Sequence, residues 1–197
     1  MKTNPAYIKF LQDPRLRSQR TIYDGKIFQV HANQIEIEPG VEVQRDLIHH
    51  LPAVAILATT AENQVILVKQ YRPATAGKLL EIPAGLLDIV NGQLEEPLQA
   101  AKRELEEETN YRSEDWQTLG SFWVSPGFTD EVIHLFWAKQ AYLVDSELEQ
   151  DDYENVTTSL STQEAVSSWL RQQEAVDLKT RYALEIWLKQ GEDHETL

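Results

Sequence analysis

A short acidic run is the part of the sequence best suited to chemistry. The segment AAKRELEEETNY (100–111) places Glu104, Glu106, Glu107 and Glu108 within five positions. On a helix, residues three or four positions apart share a face, so Glu106 points away from the other three. Clustered carboxylates require neutralising cations, and hard cations such as Mg²⁺ favour carboxylate oxygens. Taken alone, this spacing favours a solvated acidic helix face, with a metal site as the alternative that the flanking sequence must decide.

The surrounding residues predict the helix that would position these carboxylates. Pro97 suits the first helical turn. Leu98, Ala101 and Leu105 fall on one apolar stripe beside the acidic face. Arg103 can pair with Glu107 at the i+4 position and help to hold its carboxylate.

Strands are predicted before this helix. Residues 1–17 read as an irregular lead-in, and TIYDGKIFQVHANQIEIEPGVEVQRDLI (21–48) reads as strands with turns at Asp24-Gly25 and Pro39-Gly40. The segments AVAILATT (53–60) and QVILVKQY (64–71) predict a hairpin apolar enough to be central in a sheet.

The second half of the chain predicts more strands and then two helices. Strands are expected in WQTLGSFWVSPG (116–127) and EVIHLFWAKQAYLV (131–144). Ser161 and Glu164 suggest a capping box for the first helix, and Asp177 suits the start of the second. The pattern indicates a mixed α/β domain over 51–197 with an N-terminal β-extension over 1–50.

Composition limits the classes of function. With 18 Lys and Arg against 32 Asp and Glu, the net charge of −14 opposes binding to nucleic acids or anionic membranes. The absence of Cys excludes disulfides and thiolate chemistry. No apolar run approaches the roughly 20 residues that span a bilayer, and the first residues lack the apolar middle of a signal peptide. We therefore expect a cytoplasmic protein.

The helix and the loop before it resemble the Nudix hydrolase signature, G-x5-E-x7-R-E-U-x-E-E-x-G-U, where U is a bulky aliphatic residue. Glu95 takes the first Glu position, and the run from Arg103 to Glu108 matches in register. Two departures stand out. Gly85 lies ten positions before Glu95 instead of six, so the loop is four residues longer. Asn110 replaces the second Gly, and Asn tolerates a left-handed helix end well.

Two further segments resemble the ADP-ribose pyrophosphatase branch of that family. They are VILVKQYRPATAGKLLEIPAGLLD (65–88) and SPGFTDEVIHLFWA (125–138), in which Pro126 lies sixteen residues after Asn110. The resemblance implies a Nudix fold: a mixed β-sheet sandwiched between α-helices, with an N-terminal antiparallel β-subdomain. It also implies hydrolysis of the pyrophosphate bond of ADP-ribose or a related ADP-sugar, giving AMP and a sugar phosphate.

The resemblance assigns roles to the acidic residues. Glu104 and Glu108 would be the main ligands of Mg²⁺ or Mn²⁺, with Glu107 and the Ala84 carbonyl as further ligands. Arg103 would orient the carboxylates, and Glu95 would support the helix start or a metal-bound water.

The resemblance also implies that the catalytic base comes from an acidic loop after the last core strand. That loop is SELEQDDYEN (146–155), in which we favour Glu149 as base and Asp151 as a further metal ligand. Asp152 and Glu154 are alternatives for these roles, and an acidic surface loop without catalytic function is another reading.

Substrate contacts are expected from outside the signature. Arg72 and Arg45 suit bidentate binding of phosphate, with surface ion pairs as the alternative. Phe28 or Tyr23 would stack on adenine or pack in the hairpin, and Pro126 would lie on the substrate side. The resemblance further implies a homodimer in which the N-terminal extensions complete the sites.

Other functions stay open. The substrate could be another nucleoside diphosphate linked to a second group, such as a nucleotide sugar, NADH or FAD. A non-catalytic module that senses ADP-ribose or a nucleotide is a second possibility, and an acidic cation-binding protein is a third. The retained Glu104, Glu107 and Glu108 favour the enzyme.

Overall fold

The first sheet is three-stranded and antiparallel, in a computed structural model that describes residues 7–145, 156–173 and 175–192. Its strands are β1 (Leu16–Asp24), β2 (Phe28–Glu38) and β3 (Val41–His50). The turns at Gly25 and Gly40 are confirmed, and Gly40 has a φ of 78°. A 3₁₀ helix at Lys9–Gln12 and the start of β1 at Leu16 show that the lead-in is partly regular, so that expectation is wrong there.

A mixed sheet forms the centre of the fold. The remaining strands are β4 (Ala53–Thr60), β5 (Val65–Arg72), β6 (Gly77–Glu81), β7 (Ala84–Leu86), β8 (Ile89–Val90), β9 (Gln93–Leu94), β10 (Tyr111–Arg112), β11 (Asp115–Trp123), β12 (Val132–Leu143) and β13 (Thr157–Ser161). Strands β8 and β9 form a two-stranded ribbon. The other eight form one sheet in the order β10-β12-β4-β5-β13, with β11 beside β12, β6 beside β5 and β7 beside β4. Strand β12 runs parallel to β4, whereas the other pairs are antiparallel.

Helices cover both faces of this sheet. They are α1 (Pro97–Thr109), α2 (Gln163–Gln172) and α3 (Leu178–Glu192). Successive side chains of a strand point to opposite faces, so Ile56 of β4 packs with Leu105 of α1 while Leu57 packs with Trp187 of α3. All eight residues of β4 are buried. The predicted sandwich of a mixed sheet between helices is confirmed.

Helix α1 begins and ends as the sequence predicts. The Glu96 side chain accepts a hydrogen bond from the Gln99 N–H at 3.1 Å, and Pro97 takes the first helical position. Asn110 ends the helix with a φ of 59° and donates its N–H to the Glu106 carbonyl at 2.8 Å. The replacement of glycine by asparagine therefore preserves the left-handed helix end.

The longer loop before α1 folds into the β8–β9 ribbon. Asn91 and Gly92 have φ values of 52° and 78°, the positive values that a tight two-residue hairpin turn requires. The Glu95 N–H then donates to the Asp88 carbonyl at 2.7 Å. The extra residues thus form a hairpin that returns Glu95 to the start of the loop.

The two C-terminal helices have one predicted and one unexpected cap. Thr162, rather than Ser161, caps α2, because its hydroxyl accepts the Ala165 N–H at 3.3 Å while Ser161 ends β13. Asp177 caps α3 by accepting the Thr180 N–H at 3.1 Å, which confirms the prediction. None of the helices in the described ranges is long and apolar enough to cross a membrane.

The three-stranded sheet is attached to the loop between β11 and β12. The Ile48 N–H donates to the Phe128 carbonyl at 2.7 Å, and the Asp130 N–H donates to the Ile48 carbonyl at 3.1 Å. These bonds lie close to the boundary proposed at residue 50, and the division into 1–50 and 51–197 stays a prediction.

Candidate active site

The guanidinium of Arg103 lies at the centre of the acidic cluster. Its Nη1 donates to Glu104 at 2.7 Å and to Glu107 at 2.8 Å. Its Nη2 donates to Glu95 at 2.9 Å and to the Leu86 carbonyl at 3.0 Å. Arg103 therefore orders the carboxylates and ties α1 to the loop that precedes it.

Electrostatics keep Arg103 in its charged form. Burial disfavours the charged guanidinium, but the hydrogen bonds to Glu95, Glu104 and Glu107 outweigh burial and raise the pKa of Arg103 above its usual value. One permanent positive charge consequently offsets part of the negative charge of the cluster.

Two carboxylates of α1 are seated on β7. The buried Glu108 accepts a hydrogen bond from the Ala84 N–H at 3.0 Å. The Glu104 carboxylate lies directly against Gly85, where a Cβ atom would stand 1.9 Å from Glu104 Cδ. Glycine at position 85 thus provides the space in which the carboxylate lies.

Glu106 has a separate environment. It forms an ion pair with Arg112, whose Nη2 donates to Glu106 at 2.6 Å. This pairing confirms that Glu106 points away from the other three carboxylates. Glu106 is nevertheless buried, so its side of the helix is not a solvated face.

The chemistry of the donor set fits a hard divalent cation, because carboxylate and carbonyl oxygens are the ligands that such cations take. Across residues 7–145, 156–173 and 175–192, no three acidic or histidine side chains are already grouped as a metal site. Instead, Glu104 and Glu107 share the charge of Arg103. The metal roles of Ala84, Glu104, Glu107 and Glu108 therefore stay predictions.

The two candidate phosphate-binding arginines lie in different places. Arg72 ends β5 and donates to Glu81 through Nε at 2.7 Å and Nη2 at 3.1 Å. The Glu81 hydrogen bond is the main reason that the pKa of Arg72 is raised, and the charge of Glu108 adds to it. Arg45 is exposed on β3 and donates to the Gln44 carbonyl. The structure thus places Arg72 near the cluster and Arg45 on the three-stranded sheet.

A cavity of about 330 Å³ adjoins the cluster. It lies between the β1–β2 turn and residues 86–90, and Phe28 and His49 line it. Phe28 is 40% exposed and packs on Tyr23 at a ring distance of 5.4 Å. Leu86 also lines this cavity, and its carbonyl accepts a hydrogen bond from Arg103, so the cavity borders the loop that Arg103 holds.

Pro126 lines a second cavity, of about 320 Å³. Leu47, Trp123 and Phe128 form other parts of its wall. The structure therefore places Pro126 and Phe28 in different cavities, and their substrate-binding roles stay predictions.

Some polar groups near the site carried no signal in the sequence. Asp130 binds His49 Nδ1 at 2.8 Å and accepts the His50 N–H at 3.0 Å. Glu81 binds Lys179, which lies 98 positions further along the chain. A local pattern cannot reveal contacts over such separations.

The acidic loop predicted to supply the base lies outside the described ranges. This applies to Glu149 and Asp151 and equally to their alternatives, Asp152 and Glu154.

The fold and the seated acidic helix are those of a Nudix hydrolase. The chain belongs to the NUDIX domain family, because the model of that family matches residues 49–187. This membership confirms the resemblance seen in the sequence. Members of the family generally depend on divalent metals.

Relatives extend the match over most of the chain. The "ADP-ribose pyrophosphatase" of Bacillus subtilis is 34% identical over 178 residues, covering 90% of this chain and 94% of that protein. The "Methanol dehydrogenase activator" of Bacillus methanolicus is 33% identical over 177 residues, covering 90% and 93%. A solved structure described as "ADP compounds hydrolase" has a TM-score of 0.75 and 21% identity, covering 92% of this chain and 95% of that one. At that identity, the solved structure supports the fold.

Proposed function

We propose that the protein hydrolyses the pyrophosphate bond of ADP-ribose or a related ADP-sugar and releases AMP and a sugar phosphate. The observation that carries this proposal is the seating of Glu104 and Glu108 on β7, beside the cavity that Phe28 lines. The choice of substrate is supported by the ADP-ribose pyrophosphatase of Bacillus subtilis, because the match covers nearly the whole of both proteins.

The acidic residues would hold the metal, with Mg²⁺ as the proposed ion and Mn²⁺ as the alternative. The proposed ligands are Glu104 and Glu108, then Glu107, the Ala84 carbonyl and Asp151. When bound, the metal neutralises charge on the pyrophosphate and activates water. Arg103 keeps Glu104 and Glu107 oriented, and the Ala84 N–H keeps Glu108 oriented.

Groups outside the helix would bind the substrate and take up the proton. Glu149 is the proposed base for the attacking water. Arg72, whose Nη1 has no hydrogen-bond partner in the described parts of the chain, is the proposed phosphate ligand. Arg45, Phe28 and Pro126 are proposed as further substrate contacts.

We further propose a cytoplasmic homodimer. Large apolar side chains are exposed on the β1–β2 hairpin, among them Ile22 at 50%, Tyr23 at 52% and Ile27 at 58%. Burying such side chains against a second copy would be favourable. The cytoplasmic location rests on a sequence without Cys.

The decisive experiment is AMP release from ADP-ribose with Mg²⁺, comparing wild type with Glu108→Gln. ADP-glucose, NADH and FAD are run in parallel, and the exposed Glu62→Gln in the β4–β5 turn is the matched control. We expect fastest cleavage of ADP-ribose, a loss of about 100-fold or more in Glu108→Gln, and unchanged rates in Glu62→Gln. Binding of ADP-ribose without cleavage of any substrate would support the sensing module instead.

A second candidate is activation of an alcohol dehydrogenase, favoured by the 33% identity with the methanol dehydrogenase activator of Bacillus methanolicus. It is tested by adding the protein to a methanol dehydrogenase and measuring the rate of alcohol oxidation. An unchanged rate would eliminate this candidate.

A further inference from the structure

A buried ionic cluster joins the start of α3 to the strand that leads into the carboxylate site. Lys179 Nζ donates to Glu81 and also to Asp177, the latter at 2.8 Å. The side chains of Glu81 and Lys179 are 3% and 13% exposed. Such burial of charged groups requires pairing, and this cluster contains two acids and two bases, with Arg72 as the second base.

Glu81 is the shared partner of both bases. Arg72 grips it through Nε and Nη2, while Lys179 binds the same Oε2 that accepts from Nη2. Burial alone would raise the pKa of Glu81, but Arg72 and Lys179 outweigh it and lower that pKa. Glu81 is therefore an ionised carboxylate that Arg72 and Lys179 neutralise together.

The same cluster fixes the backbone between β6 and β7. Thr180 donates its hydroxyl to Asp177 at 2.7 Å and accepts the Ile82 N–H at 3.0 Å. Two residues further along, the Ala84 N–H binds Glu108. The short segment from Ile82 to Ala84 thus connects the ionic cluster at the start of α3 to Glu108, a carboxylate of the candidate active site.

Arg72 is the member of this ionic cluster with the most exposed side chain. Its side chain is 38% exposed, and the charge of Glu108 acts on it. Nε and Nη2 are committed to Glu81, whereas within the described residues Nη1 has no partner. The guanidinium therefore has donors left for an anion, in an orientation that Glu81 determines.

We infer that Lys179 is a positioning residue for Arg72. Through their shared partner Glu81, these residues set the affinity of the site for the pyrophosphate group. This inference rests on the proposed function. With Lys179 present, Arg72 does not have to neutralise a buried carboxylate alone. Without it, Glu81 holds Arg72 as its sole cation, and the region beside an anionic substrate loses one positive charge.

The test is a double-mutant cycle between Lys179→Gln and Arg72→Gln, with Lys179→Arg as the conservative variant. The control is Lys189→Met, an exposed lysine in the last turn of the same helix. AMP release gives KM and kcat for ADP-ribose, and calorimetric titration with inorganic pyrophosphate and Mg²⁺ gives binding without turnover. Thermal unfolding of each variant establishes that it is folded.

We expect Lys179→Gln to raise KM by about tenfold with kcat changed less than threefold, because phosphate binding in the ground state is weakened. Lys179→Arg should restore KM to within about threefold of wild type, and the double variant should be no more than about threefold worse than Arg72→Gln. Lys189→Met should match wild type. If Lys179→Gln instead caused a general loss of structure, it would lower kcat and the melting temperature, and it would do so equally whether residue 72 is Arg or Gln.

Failure of this inference is distinguishable from failure of the proposed function. No AMP from wild type would reject the proposed function while leaving the pyrophosphate titrations as the test of the cluster. Multiplication of the two single effects in the double variant, or an unchanged affinity in Lys179→Gln, would overturn the positioning role. Absence of pyrophosphate binding to wild type would overturn it too.

Discussion

Replacing Gly85 with alanine should inactivate the protein with little loss of fold. The new Cβ would lie 1.9 Å from Glu104 Cδ and 2.1 Å from its Oε1. Carbon atoms in contact stand about 3.5–4.0 Å apart, so the carboxylate must move by roughly 1.6–2.1 Å. Because it is the end of a long side chain, Glu104 can move away and leave the backbone pairing of Gly85 with Val54 intact.

That displacement removes Glu104 from Arg103, which it meets at 2.7 Å. A misplacement of about 1 Å can cost about 100-fold in rate, so we expect kcat for ADP-ribose to fall by at least that factor. The lost ion pair should lower the free energy of unfolding by about 1–2 kcal/mol, a decrease of roughly 2–8 °C in melting temperature for a chain of this size.

The assay is AMP release together with thermal unfolding, and the control is Gly77→Ala. At Gly77 the nearest atom to a new Cβ is the Thr75 carbonyl oxygen at 3.7 Å, an ordinary contact. Gly77→Ala should retain both activity and stability. Near-wild-type activity in Gly85→Ala would refute the argument that the Glu104 carboxylate must occupy this space.

Two further predictions concern stability. Asn110→Ala should lower the free energy of unfolding by about 1 kcal/mol, because alanine is strained at a left-handed helix end. Asn110→Gly should leave the free energy of unfolding unchanged. Urea titrations measure both variants, and equal free energies for the two would contradict this prediction. Burial and then the nearby His49 lower the pKa of His31. Its unfolded state therefore binds a proton more readily, and its contribution to stability is present above the unfolded pKa of about 6.5 and is lost as pH falls through the lower folded pKa. Unfolding of wild type between pH 7.5 and 5 should show a steeper decline than His31→Gln, and identical slopes would disprove the assignment.

The sequence was most informative where structure is local. Pro97, the apolar stripe of α1 and the left-handed Asn110 are set by neighbours within a few residues, and each was predicted. The β8–β9 ribbon is not among the predicted elements, although Asn91-Gly92 is a strong hairpin signal. The α2 cap was misplaced by one residue, since Ser161 and Thr162 are chemically alike and the end of β13 decides between them.

Contacts between distant residues were out of reach. The parallel pairing of β12 with β4 joins strands separated by the whole of α1, and periodicity within each strand does not specify its partner. For the same reason, the helical spacing grouped three glutamates but did not reveal that Gly85 and Ala84 hold two of them. The sequence predicts Arg72 as a phosphate ligand, whereas its ion pair with Glu81, and the ion pair of Glu81 with Lys179, depend on tertiary packing.

The attachment of Asp130 to both His49 and His50 limits how this protein can be divided or recombined. Its side chain is 8% exposed, and it depends on donors from β3. A cut after residue 50 would remove both donors and leave a carboxylate that must be rehydrated or protonated. The three-stranded sheet therefore cannot be removed or replaced independently of the rest of the protein. Deleting it, or replacing it with the corresponding sheet of a relative, would require a compensating change at position 130.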